Sequence, residues 1–177
     1  MSVTFALRHY FSVSHLAVAS TLAKQCHELE ETDYRGCPST QVQQMNQAAS
    51  IGAVISSVAF LEATINEVFA DCADNTSPHG CPYPNAELLA SMWRQGVPRT
   101  AAYSVIEKYQ IALTLCDKTR FLAGCSPVQE VDALVFARNF LIHSEPEFVV
   151  STSDAEKPKL QKIHSRLRGR FALNRLV

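Results

Sequence analysis

The sequence predicts an all-α chain, a bundle of four to six helices. Three observations predict it. Apolar residues recur at intervals of three and four through most of the chain. Two segments, 51–72 and 131–142, are apolar around most of their girth, as expected of helices with neighbours on several sides. Proline, glycine and small polar residues gather mainly between the periodic stretches. At 177 residues the chain is long enough for one domain with a real core.

The first helix should run over residues 10–30, rich in Ala, Leu and Glu, and stop before Tyr34-Arg35-Gly36-Cys37-Pro38. Ser39 or Thr40 then caps a second helix that reaches about Cys72. Its apolar row is Ile51, Ile55, Val58, Ile65, Phe69 and Cys72, interrupted by Glu62, with Val54, Leu61 and Val68 beside it. A buried carboxylate needs a partner or a proton, so Glu62 is expected to orient a cation on a neighbouring helix, with Arg138 the natural choice. No apolar run looks continuous enough to cross a bilayer, and Ile51 to Leu61 reads as core.

Asp74 to Pro84 is a loop of breakers. A short helix carrying Trp93 follows over 85–95, interrupted by Gly96-Val97-Pro98, and another runs from about Thr100 to Cys116 or Lys118. Ser126-Pro127-Val128-Gln129 then has the form of a helix start: serine as cap, proline at the first helical position, glutamine completing a capping box. This helix should end by Ser144, because Pro146 disfavours helical geometry at Glu145. Phe148-Val149-Val150 reads as a short extended segment and Ser151-Thr152-Ser153-Asp154 as a linker. Leu160, Ile163 and Leu167 form an apolar stripe beside Lys159, Lys162, Arg166 and Arg170, so a short amphipathic helix should close near Gly169. The organisation expected is a bundle over 1–150 and a linker with a basic tail over 151–177.

The formal net charge of −1 hides a split. Residues 157–177 carry 7 basic side chains and no acidic one, while the preceding residues carry 9 basic and 17 acidic. A basic tail on an acidic body binds something negative: RNA, an acidic partner or the body itself. The N-terminus lacks the layout of a signal peptide, which points to a cytoplasmic protein with no membrane contact. The six cysteines then read as reduced thiols. Cys72, His79 and Cys81, with Cys37, match no common zinc spacing, so no metal and no cofactor are expected. No P-loop, GxGxxG unit, HExxH or GxSxG is present.

The chemistry concentrates in Arg138-Asn139-Phe140-Leu141-Ile142-His143, at the end of the late apolar helix. RNA can be cut without a metal when its 2′-hydroxyl attacks the adjacent phosphorus. That reaction needs a base, an acid and positive charge on the crowded phosphorane. Histidine titrates near neutrality and serves either proton role. Arginine stays charged and offers phosphate oxygens a planar fork. Asparagine positions phosphate or imidazole. Arg138 and His143 are five residues apart, about 140° around an ideal helix and about 7.5 Å along it. Asn139 and His143 share a face. One chain supplies one histidine of the string, whereas separate acid and base are best served by two. A two-fold dimer would bring both copies to one cleft. His143-Glu145-Glu147 as a metal-ligand set is the competing reading of the same stretch.

The string, its place at the end of a late helix and the earlier helical segment Phe60-Leu61-Glu62-Ala63-Thr64-Ile65-Asn66-Glu67 resemble the HEPN superfamily over roughly residues 42–148. That resemblance implies a helical bundle that dimerises with the motif at its interface and cleaves RNA without metal. It implies Arg138 and His143 as catalytic, with Asn139 at the polar motif position. A toxin–antitoxin setting with a nucleotidyltransferase-type antitoxin, or antiviral defence, also comes with it. Lys159, Lys162, Arg166 and Arg170 are expected to add RNA affinity. The alternative is a non-catalytic helical dimer that binds a partner protein, a nucleotide or RNA.

Overall fold

In a computed structural model the chain is all-α, and the described residues are 9–32, 37–74, 83–97, 103–143, 158–171 and 176. Six helices occur among them: α1 (Phe11–Glu31), α2 (Thr40–Asp74), α3 (Ala86–Arg94), α4 (Val105–Leu115), α5 (Val128–His143) and α6 (Pro158–Leu167). Each lies close to its expected span. The expected extended segment at 148–150 and the linker at 151–154 fall outside the described residues.

The chain divides into two compact units. One takes the chain up to Val18 and Ala59–Phe121; the other takes Ala19–Val58 and everything from Leu122 on. In the first unit the core is made of large side chains: Ile65 and Phe69 from α2, Leu89 from α3 and Val105 from α4. Polar ties fix the helix ends around it. Glu67 and Asp71, four apart on α2 and so on one face, accept from the Ser12 backbone N–H and the Tyr10 hydroxyl, both at 3.0 Å. Arg94 donates from the last turn of α3 to the Ala73 carbonyl at 3.3 Å. Asn85, just before α3, donates to the Leu115 carbonyl at 2.7 Å and to Asp117 at 3.1 Å.

Helix α4 begins later than the expected Thr100, because Ser104 caps it. The Ser104 hydroxyl accepts from the Glu107 N–H at 3.3 Å, and Glu107 accepts from the Ser104 N–H at 2.7 Å. This capping box satisfies two donors that a helix start leaves open, and it holds the Glu107 carboxyl below the usual range. The same helix ends on Asp117, left-handed at φ 53°, with the Lys118 N–H closing on the Leu113 carbonyl at 2.8 Å. Gln110, buried on α4, then clamps the returning chain: it donates to the Phe121 carbonyl at 2.8 Å and accepts from its N–H at 3.0 Å.

The second unit has a core of small residues. Ala19, Ala49 and Ala133 are buried with Val58 and Val128. A Cβ on Gly52 of α2 would lie 2.6 Å from Leu22 Cδ1 of α1, so the glycine permits the two helices to approach closely. Asn46, 1% exposed, donates to the carbonyl and sulfur of Cys26, both at 3.2 Å. The Cys26 sulfur lies 3.0 Å from the Ser50 hydroxyl. Ser39 caps α2 as expected, accepting from the Val42 N–H at 3.3 Å.

Two expectations need correction. By length and composition α2 could cross a membrane, against the reading that no apolar run is continuous enough. Ser56, Ser57 and Glu62 look like breaks in the sequence, yet the helix carries them without interruption through 35 residues. The start of α5 also differs. The first helical N–H groups, at Val128 and Gln129, donate to the backbone carbonyl of Cys125 at 3.0 and 3.3 Å, and the Gln129 side chain donates to the Gly124 carbonyl. A backbone turn over 123–127 thus does the work expected of the Ser126 side chain.

Candidate functional site

Helix α5 places the candidate residues according to its phase. It advances about 100° and 1.5 Å per residue. Asn139, Leu141, Ile142 and His143 are exposed over its last two turns, whereas Arg138 is half-buried. Arg138 lies about 140° from His143 around the helix, so one chain alone does not turn the two toward the same side. Asn139 and His143 stand one turn apart on a shared face. Arg138 and Glu62 each make a polar or electrostatic interaction. Glu62, half-buried on α2, belongs to the first unit and Arg138 to the second.

The basic tail rests on α5. Arg166 donates to Asp132 at 2.6 Å, and its guanidinium carbon sits 4.4 Å from the centre of the Phe136 ring. Arg170 donates to Gln129 at 3.1 Å. A guanidinium can do both because it is a planar donor fork that also stacks on an aromatic face. Of the four tail residues expected to bind RNA, Arg166 and Arg170 are therefore engaged by the protein's own helix. Lys159 and Lys162 lie on the first turns of α6.

The sequence reading missed Gln129, Asp132 and Phe136 as docking residues. The signal was available in the sequence pattern: Gln129, Asp132, Phe136 and His143 fall on one side of α5, matched by a basic stripe along α6 that Arg170 continues just beyond its end.

Other candidate chemistry is sparse. Among the described residues no three His, Cys, Asp or Glu side chains gather to hold a metal ion. His79 and Cys81 of the zinc reading, and Glu145 and Glu147 of the metal alternative, lie outside the described residues. Cys26, Cys37, Cys72, Cys116 and Cys125 are free thiols. Burial pushes the Cys72 and Cys116 thiols up; Cys116 and Asp71 add to the effect at Cys72, while at Cys116 the Lys118 ammonium opposes it and Asp117 adds to it. A groove of about 320 Å³ lies along α4 between Tyr103, Ile111 and Arg120 and contains none of the predicted site residues.

No protein-family model, curated protein or solved structure matches this chain. The functional reading rests on the chemistry of the α5 end.

Proposed function

We propose that the protein is a metal-independent endoribonuclease of HEPN type. It works as a two-fold dimer in which the C-terminal ends of two α5 helices form one composite site. The observation that carries this reading is Arg138-Asn139-Phe140-Leu141-Ile142-His143 at the very end of α5, with Asn139 and His143 open to solvent. Leu141 and Ile142, 37% and 49% exposed beside them, supply apolar surface for a partner helix. The divergence of Arg138 and His143 within one chain is what a second copy resolves, since a two-fold axis presents two of each to a single cleft.

In this mechanism the 2′-hydroxyl loses its proton to one His143 as its oxygen bonds to phosphorus. The bond to the leaving 5′-oxygen breaks, and that oxygen takes a proton from the second His143. Arg138 holds the phosphorane charge and Asn139 positions the phosphate. RNA is the substrate, the cytoplasm the setting, and a nucleotidyltransferase-type antitoxin a fitting partner in a toxin or antiviral role. The half-buried, already engaged state of Arg138 favours a second reading: a non-catalytic helical dimer that binds a partner protein, a nucleotide or RNA, with Arg138 structural.

The test is incubation of the pure protein with RNA and with DNA of the same sequence in EDTA. The proposal expects RNA cut to 2′,3′-cyclic phosphate ends and DNA intact. Cleavage that is lost to chelator and restored by a divalent metal would promote the His143-Glu145-Glu147 alternative. A dimer that cuts no RNA would promote the binding module.

A further inference from the structure

The groove on α4 carries chemistry that the α5 site does not use. It belongs to the first unit, holds about 320 Å³ and has α4 as one wall. The returning chain supplies the other. Gln110 fixes that chain in place, donating to the Phe121 carbonyl at 2.8 Å and accepting from the Phe121 N–H at 3.0 Å. The clamp sets Arg120, one residue earlier, beside the middle of α4 and not beyond its end. Gln110 is three residues past Glu107, about 4.5 Å along the helix axis. Glu107 and Arg120 therefore line the same short groove. Beside them Ile111 and Leu115, four apart and half-buried, form an apolar strip. Tyr103, 36% exposed, adds an aromatic ring to the lining.

The two charges do not neutralise each other. Glu107 accepts from the Ser104 N–H at 2.7 Å through one carboxylate oxygen, and the cap leaves its second oxygen open. The exposed Arg120 guanidinium makes no hydrogen bond or ion pair among the described residues. An anion entering the groove meets the charge of Glu107, and a cation meets that of Arg120. A neutral apolar molecule covers Ile111 and Leu115 but takes water from both charged groups without replacing it. A molecule with both charges and an apolar body satisfies the whole lining. We propose that the groove binds a free α-amino acid with a large apolar side chain. Its ammonium lies on Glu107, its carboxylate on Arg120 and its side chain over Ile111, Leu115 and Tyr103. Such a molecule carries ammonium and carboxylate on one carbon, which suits two walls so close together along α4. The guanidinium fork matches a carboxylate in shape as well as charge. Most of the lining is open to solvent, so a ligand this small enters without opening the core of the unit. The inference does not depend on the nuclease reading.

The test is an amide chemical-shift titration of the full chain by NMR with L-phenylalanine. A ligand of about twelve heavy atoms in an open groove should bind with a Kd on the order of 1 mM. The shifts should concentrate at 103–121 and spare 138–143. N-acetyl-L-phenylalanine lacks the cation and L-phenylalanine amide lacks the anion. Each should bind about fivefold more weakly, the scale of one solvent-exposed ion pair. The deciding readout is which variant removes which difference. Glu107→Gln keeps the capping box, since glutamine also serves at that position. It should make L-phenylalanine and its N-acetyl form bind alike while the amide still lags. Arg120→Gln should make L-phenylalanine and its amide bind alike while the N-acetyl form still lags. No saturable shifts up to about 10 mM, well above the expected Kd, would overturn the proposal. So would equal binding of all three ligands to the wild type, tighter binding of the N-acetyl form, or differences that survive both substitutions. RNA cleavage, or its absence, bears on none of these outcomes.

Discussion

The two units are held together by different means. The first encloses Phe69 and Leu89 completely and Ile65 almost so, side chains whose burial stabilises by roughly 1.5–3 kcal/mol each. The second encloses alanines, Val58 and a fully buried amide, and relies on close helix approach at Gly52 and on polar ties. The candidate functional residues Arg138, Asn139 and His143, and the basic helix docked on α5 at Asp132 and Phe136, all belong to the second unit. Large apolar cores suit a unit whose job is to stay folded. A site that admits a ligand draws on elements with less buried apolar surface.

The comparison can be broken at several points. The largest effect should come from Phe69→Ala, at about 3–5 kcal/mol, read from urea unfolding followed by the fluorescence of Trp93, the chain's single tryptophan and a member of the same unit. A cost below about 1 kcal/mol would mean that the first unit is not held by that core. Asn46→Ala should cost about 1–3 kcal/mol, since it strips a buried, hydrogen-bonded amide from between α1 and α2. The signature to check is faster thiol labelling of Cys26, the partner it releases.

A pH titration probes the first unit. Cys72, Cys116 and Tyr109 all have raised pKa values, with burial the leading cause in each. The folded first unit therefore holds protons that the unfolded chain has released. Its stability is full below about pH 9 and falls as pH rises from there toward the raised folded values. Thiol labelling against pH should show Cys37 and Cys125, both exposed, reacting first at every pH. Cys72 and Cys116 should stay protected until the unit opens. Early labelling of Cys72 at neutral pH would contradict the packing described. The smallest effect belongs to Arg166→Ala, at about 1 kcal/mol or less on stability, because the Asp132 pair is half open to water and adds only one ring contact. Circular dichroism melts should barely move.

Much of the helical pattern was legible because it is local. The apolar rows of α2 and α5, the Ser39 cap and the basic stripe of α6 depend on residues a few positions apart. The Ser104–Glu107 capping box was equally local and was passed over in favour of Thr100. Long-range ties were not legible: Asn85 to Leu115, Arg94 to Ala73 and Gln110 to Phe121 depend on how the chain returns. The start of α5 was misread for a related reason. Ser126-Pro127 matches a capping pattern, but the backbone carbonyl of Cys125 was the better-placed acceptor. At the candidate site, the motif and its helix phase could be read from residues 138–143 alone. That Arg166 and Arg170 spend their charge on α5 could not, since charge patterns show what a tail can bind and not which acid it meets first.

The most direct test of the central claim is the single-turnover rate of RNA cleavage in EDTA for the wild type, His143→Ala, Arg138→Ala and Arg138→Lys. Each should first be shown by light scattering to remain a folded dimer. Loss of a placed acid–base group or of a phosphate-clamping charge is worth roughly 10²–10⁴ in rate. The account predicts losses of that order for both alanine variants, and no full rescue by lysine because an ammonium lacks the planar fork. Wild-type cleavage that survives both substitutions in folded dimers would contradict it.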